Sequence, residues 1–447
     1  MSASSPSSPR RQLGFWMCLA LVVGNIVGSG VYLLPASLAP YGLNSIFGWV
    51  ITAGGAVMLA VVFARLAKMF PRAGGPYVYA RIALGERTGF LMAWGYWVGA
   101  WVGNAAIAIA TVAYLAELLP WIKNTTGAPA LTSCVIIWFL TYLNWRGTRQ
   151  AGVMQVVTTV LKLLPLIAII ALGVWLLGRA DPAVIELEPQ PLTLAAINTS
   201  AMLTLWALLG LESATVPAGK VSDPERNIPR ATLWGTLIAA AVYILTCSIA
   251  VLLIPSARLA ESSAPFADLV RQFWGGAVAG TLALFAFISG FGALNGWILI
   301  QGEIPRVLAK DGVFPRLFAR ESRHGTPGTS LVISSALLTA LVLMNYSRSM
   351  VQVFTFIILI STSTYLVMYL TCAVAALKLC WTGALGEAGR RLSPFLAIAL
   401  LACIYAVWTL FGAGREAFWW SIALFAAGMP VYWMMKRPAV AASDASP

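Results

Sequence analysis

LALVVGNIVGSGVYLLPASL, residues 19–38, is an apolar run of membrane-helix character, interrupted in its middle by Gly24-Asn25-Ile26-Val27-Gly28-Ser29-Gly30. Three small residues in succession, Gly28-Ser29-Gly30, suit a backbone leaving a helix better than a groove for a packed neighbour. A second run, MLTLWALLGLESAT at 202–215, is broken in the same way at Gly210, with Glu212 just beyond. Breaking a helix frees N–H and C=O groups that hydrocarbon cannot satisfy and a polar ligand can. Two breaks at corresponding places in two halves of the chain point to an inverted repeat with its binding site near the bilayer midplane. Taken singly, Gly24-x-x-x-Gly28 and Gly99-x-x-x-Gly103 fit close helix packing equally well.

The rest of the chain places these breaks in a membrane. Of its 447 residues 60% are hydrophobic and 10% charged, a composition outside that of ordinary soluble domains. Apolar runs long enough to cross a bilayer recur from Leu13 to Trp433, and their length argues for helices over a barrel. Spans are expected at 13–40, 44–68, 89–119, 129–145, 152–178, 198–221, 230–254, 274–303, 328–346, 352–378, 394–413 and 417–435. The chain therefore reads as an all-α integral membrane protein of about twelve transmembrane helices. One membrane domain covers 13–435, between a Ser/Pro-rich tail at 1–12, read as disordered, and a tail at 436–447. The loop 309–327 has room for a short amphipathic helix around Val313 to Arg323.

A net charge of +13 invites a nucleic-acid partner, but its placement argues for a membrane instead. With a cytoplasmic N-terminus, only Lys123, Arg179, Arg258, Arg271, Arg348 and Arg415 fall outside and Lys162 falls within a span. The remaining Lys and Arg lie inside, as the positive-inside rule requires, with both termini cytoplasmic. Cys18, Cys134, Cys247, Cys372, Cys380 and Cys403 sit in or beside apolar segments without metal or redox spacing. His324 is the single histidine, so a His-rich metal centre and a His-based triad are excluded by count. Paired catalytic carboxylates and a nucleophile elbow are missing too, so no enzyme, cofactor or metal is expected.

Two ionisable residues fall inside spans, Lys162 and Glu212, and each is a functional candidate by its cost in hydrocarbon. Lys162 lies on the order of 15 Å from the cytoplasmic end of its helix, too deep to snorkel easily. It could exchange a proton during a cycle, or stand as a fixed cation on the open carbonyls of the first span. Glu212 could accept protons, face a substrate amine, or lock the second break as a hydrogen-bonded carboxyl. Trp206 and Trp297 lie away from the interfacial belts, where an indole face could close over a ligand or hold an ammonium. Among 18 tryptophans, packing is the competing explanation. Asn25, Asn104 and Ser361-Thr362-Ser363-Thr364 add polar groups that serve either interhelical bonding or a polar cavity.

Gly24 to Ala36, then PRAGGPYVY at 71–79, then Trp206 to Glu212, closely resemble the amino acid–polyamine–organocation (APC) superfamily. Tyr96-Trp97, Trp101-Val102-Gly103-Asn104 and Gly296-Trp297 are further matches, nearest to its basic amino acid/polyamine antiporter branch, which includes the arginine/agmatine antiporter. The resemblance implies a core of two five-helix inverted repeats of leucine-transporter type, at about 13–178 and 198–378, with peripheral helices at about 394–435. It implies alternating access in a cell inner membrane. It further implies that the backbone at Ser29 and Gly30 holds a substrate carboxylate, and that carbonyls around Trp206, Ala207 and Leu209 receive the α-amine. Trp206 would cap the pocket and Trp297 would stack on the side chain, with Asn25, Tyr96, Asn104 and Ser361 completing the site. Ala100, Ile107 and Ala207 make the pocket plainer than in the arginine/agmatine branch, which brings a neutral amino acid into consideration. Lys162 stands where some members carry a lysine in place of a sodium ion.

The expected function is sodium-independent amino acid transport, as an amino acid or amino acid/amine antiporter. A proton-coupled symporter and a non-transporting nutrient sensor on the same scaffold are the alternatives. The expected partners are a small amino acid or amine, the lipid bilayer and a second copy in a homodimer, with no nucleic acid.

Overall fold

The computed structural model describes residues 14–70, 75–147, 151–179, 185, 190–215, 221–345, 348–382 and 394–435. The tails expected at 1–12 and 436–447 lie outside these. Every regular element among the described residues is helical. The first apolar stretch gives α1 (Phe15–Ile26), a 3-10 turn at Ser29–Tyr32 and a short α2 (Leu34–Leu38), so the span drawn at 13–40 is three pieces rather than one rod. After it come α3 (Leu43–Met69), α4 (Pro76–Leu84), α5 (Glu86–Leu118), α6 (Pro120–Asn124), α7 (Ala128–Arg146) and α8 (Ala151–Leu177). The second interrupted stretch gives α9 (Leu194–Ala207), which ends well short of the 198–221 span and passes into turns. The chain continues through α10 (Pro224–Leu253), α11 (Ser256–Glu261), α12 (Pro265–Trp274), α13 (Gly276–Lys310), α14 (Gly328–Met344) and α15 (Met350–Trp381). It closes with α16 (Pro394–Leu410), α17 (Gly414–Ala426) and α18 (Gly428–Met435).

Seven helical segments among the described residues are long and apolar enough to cross a membrane, the last of them running from Pro394 to Met435. Phe15–Ile26, Leu161–Leu177, Leu194–Ala207 and Gly328–Met344 are shorter apolar helices. Burial separates centre from rim: 94% of the apolar window of α5 is buried, against 33% for Pro394–Met435. Small residues bring α5 close to α15, since a Cβ on Gly99 would stand 2.6 Å from Thr364 Oγ1 and one on Gly103 2.9 Å from Ser361 Oγ. Gly99-x-x-x-Gly103 is therefore a close-packing stripe. Gly28 is different, because the nearest side-chain atom to its added Cβ, on Ala293, is 3.8 Å away.

The amphipathic helix expected around Val313 to Arg323 is a 3-10 turn of four residues, Arg316–Ala319. Pro315 precedes it, and aromatic packing draws Phe314 inward against Phe90, Trp94 and Trp97, with ring centroids 5.8–5.9 Å apart. An amphipathic helix would have to give up that burial. Beyond it, Glu321 accepts from Arg306 at 2.7 Å and Lys310 at 2.6 Å, and these cations, Lys310 foremost, hold its carboxyl below the usual range.

Helices α3 and α9 approach closely enough to share hydroxyls. Thr52 Oγ1 donates to the Ala201 carbonyl at 2.9 Å and accepts from Thr204 Oγ1 at 2.8 Å. A Cβ on Gly48 would stand 2.6 Å from Ser200 Cβ and 3.0 Å from the Ala201 backbone nitrogen, which cannot move aside independently. Gly48→Ala should therefore destabilise the protein in detergent by about 1–3 kcal/mol through overpacking. Thermal unfolding with an unchanged midpoint would show that α3 and α9 are not in such close contact.

Candidate functional site

The site begins where α1 stops. Val27 leaves the helical region with ψ 86°, and Gly28 is extended before the Ser29–Tyr32 turn. Lipid-excluded carbonyls at this point need donors, and three other helices supply them. Lys162 Nζ on α8 donates to the Gly24 carbonyl at 3.2 Å. Tyr243 on α10 donates to the Ile26 carbonyl at 2.8 Å and accepts from the Gly28 N–H at 3.3 Å. Tyr114 on α5 donates to the Tyr32 carbonyl at 2.8 Å, while the Tyr32 hydroxyl donates to the backbone carbonyl of Lys162 at 3.0 Å. Lys162 is 1% exposed and forms no ion pair among the described residues.

The second break mirrors this need with other chemistry. Gly210 takes φ +97°, a left-handed conformation that an L side chain rarely adopts, and an added Cβ would come within 3.3 Å of Trp297. The Gly210 N–H donates to the Tyr369 hydroxyl on α15 at 3.3 Å, and that hydroxyl donates to Glu212 Oε2 at 2.6 Å. Glu212 is fully buried, its Oε1 lacks a hydrogen-bond partner, and the Tyr96 hydroxyl lies within electrostatic reach. The carboxyl thus braces the turn through Tyr369.

Between the breaks lies a cavity walled by Asn25, Gly30, Asn104, Trp206, Trp297 and Ser361, with Ala207 and Leu209 from the end of α9. About 40 Å³ of it admits the centre of a water molecule. Trp206 accounts for the tightness: a Cβ on Gly30 would stand 1.6 Å from its Cζ3 and 1.9 Å from its Cη2. The indole lies across the glycine backbone, held edge-on by Phe354 with centroids 5.4 Å apart.

Eight of the residues singled out in the sequence meet on this wall, together with Ala100 and Ile107. Gly28 and Gly30 flank Ser29 on it, and for Ser29 the backbone alone is described. Tyr96 stands one layer behind, packed edge-on against the wall residue Tyr365 at 5.5 Å. Lys162 and Glu212 lie behind the two breaks and off the wall, on the backbone and tyrosine partners given above. Tyr243, Tyr365 and Gln301 were not anticipated. Nothing local marks them out, because a tyrosine or glutamine in an apolar helix reads as ordinary packing until its partner is known.

A broken-helix pair around a small cavity is an arrangement suited to a solute carrier, and residues 13–435 match the amino acid permease family, to which this chain belongs. The cadaverine/lysine antiporter of Escherichia coli (strain K12) is 34% identical over 75% of this chain and 76% of its own. A provisionally assigned arginine/ornithine antiporter of Bacillus subtilis (strain 168) is 33% identical over 94% of this chain and 96% of its own. The putrescine transporter PotE of Haemophilus influenzae (strain ATCC 51907 / DSM 11121 / KW20 / Rd) is 31% identical over 92% and 94%.

Two predictions follow from the geometry. Gly30→Ala should destabilise the protein by about 1–3 kcal/mol because the indole has no room, and adding Trp206→Ala should relieve most of that cost. Additive effects in a double-mutant cycle of thermal unfolding would remove the close approach. Lys162→Met should leave the Gly24 carbonyl without its buried donor and cost about 1–3 kcal/mol; an unchanged unfolding midpoint would show the bond contributes nothing.

Proposed function

We propose that this chain is a sodium-independent antiporter that exchanges amine-bearing amino acids with one another or with the corresponding amines across a bacterial inner membrane, by alternating access. The observation that carries this reading is the cavity between two interrupted helices, with backbone at both ends and indole faces between. The backbone of Ser29 and Gly30 would hold the substrate carboxylate, the carbonyls of Trp206, Ala207 and Leu209 its α-amine, and Trp297 the cationic end. Asn25, Asn104 and Ser361 would complete the wall, and Tyr96 would support it through Tyr365. The apolar side chains of Ala100, Ile107 and Ala207 suit the methylene stem of a diamine or lysine, in keeping with the amines in the relatives' names. A neutral cargo loses ground accordingly.

Sodium independence is supported by the Lys162 ammonium, which already brings a positive charge to the Gly24 carbonyl. Exchange is supported by Trp206: substrate binding offsets the cost of moving the ring off Gly30, so the empty carrier reorients slowly. Each break is braced from a helix late in its half, α8 for the first and α15 for the second, which favours two five-helix repeats with peripheral helices beyond. Twelve spans with both termini cytoplasmic complete the proposed topology.

In proteoliposomes, labelled lysine uptake should require internal lysine or cadaverine and persist when potassium replaces sodium. Uptake driven by a pH gradient with no internal substrate would overturn exchange, and a sodium requirement would overturn the role given to Lys162.

A further inference from the structure

Asn104 is 1% exposed, lies on the cavity wall, and its Oδ1 has no hydrogen-bond partner. A buried amide oxygen without a partner is costly in a fold that satisfies most of its polar groups, so what holds it there matters. Behind Asn104 runs a file of buried polar side chains crossing from α5 through α13 and α14 to α7. Its direction can be read from its far end. The Ile137 carbonyl only accepts, and Thr141 Oγ1 donates to it at 2.7 Å, using the single hydroxyl proton. Towards Ser335, 2.7 Å away, Thr141 must therefore accept, and Ser335 Oγ donates. With its own proton committed, Ser335 accepts from Gln301 Nε2 at 3.1 Å. Gln301 Oε1 then faces Asn104 as an acceptor and takes a bond from Nδ2 at 2.7 Å. The remaining atom of the Asn104 amide, Oδ1, is left as a buried acceptor on a residue that walls the cavity.

We infer that Gln301, Ser335 and Thr141 are positioning residues: as a one-way hydrogen-bond file anchored on the Ile137 carbonyl, they fix the Asn104 amide oxygen-first and make the cavity select substrates with an ammonium tail. This rests on the cavity being the substrate site. Reversing the amide would set Asn104 Oδ1 against Gln301 Oε1, two acceptors with no proton between them. Relief requires the whole file to turn, and Thr141 would then have to abandon the Ile137 carbonyl. Gln301, Ser335 and Thr141 are each at most 2% exposed, so water is not at hand to repair a broken link. An ammonium has three donors and no acceptor, so it is complementary to a fixed oxygen and repelled by an amide –NH₂. A bond between a charged donor and that oxygen corresponds to roughly a tenfold to hundredfold preference.

The test is competition binding to the purified full-length protein, comparing lysine with 2-aminoheptanoate, in which a methyl replaces the ammonium. Wild type should favour lysine by about tenfold or more. Thr141→Val removes the anchor and frees the file to turn; it should lower the preference about tenfold and leave the affinity for 2-aminoheptanoate unchanged. Thr141→Ser keeps the hydroxyl and should restore the wild-type ratio. Ser335→Ala, which cuts the file one link nearer the cavity, should lower the ratio like Thr141→Val and serves if the valine variant does not fold. A wild-type preference retained in Thr141→Val or Ser335→Ala overturns the file's role while leaving the substrate reading intact. Binding of neither compound to wild type overturns the substrate reading itself.

Discussion

Interrupting a helix in a place without water obliges some other part of the protein to replace the hydrogen bonds given up. This chain does it twice, and most of what is distinctive in its interior answers to that obligation. Lys162, Tyr243 and Tyr114 converge on the first break, and Tyr369 with Glu212 on the second. The lysine and the three tyrosines come from four different long helices, so the breaks also tie helices together. A residue that looks misplaced in hydrocarbon, such as Lys162, is a replacement backbone donor with a long reach.

The backbone partners leave some groups for a ligand. The cavity walls come from both interrupted helices and from α5, α13 and α15, so any tilt of one group of helices against another alters its shape. Trp206 occupies the space above Gly30 that a side chain would otherwise fill.

Family membership and geometry agree on the class of molecule, an amino acid permease. Among the described residues the wall carries no carboxylate, since Glu212 lies behind the second break. Charge recognition in the proposed site would then fall to carbonyl oxygens and aromatic faces. Weak, numerous contacts of that kind suit a carrier, which must release its cargo on the far side.

By itself the sequence determined that this is a helical membrane protein and that two of its helices are broken at Gly28-Ser29-Gly30 and Gly210. These were legible because composition, run length and glycine act locally: backbone conformation and solvent preference follow from neighbours in the chain. Helix α5 as the buried centre, the collapse of 313–323 into a turn, and the placing of Tyr96 behind Tyr365 were decided by tertiary structure. So were the Asn104–Gln301–Ser335–Thr141 file and the role of Tyr243, because a hydroxyl or amide in an apolar helix carries no mark of which distant group it will meet. A hydrogen bond reaches about 3 Å, and only the packing of helices far apart in sequence brings its two ends that close.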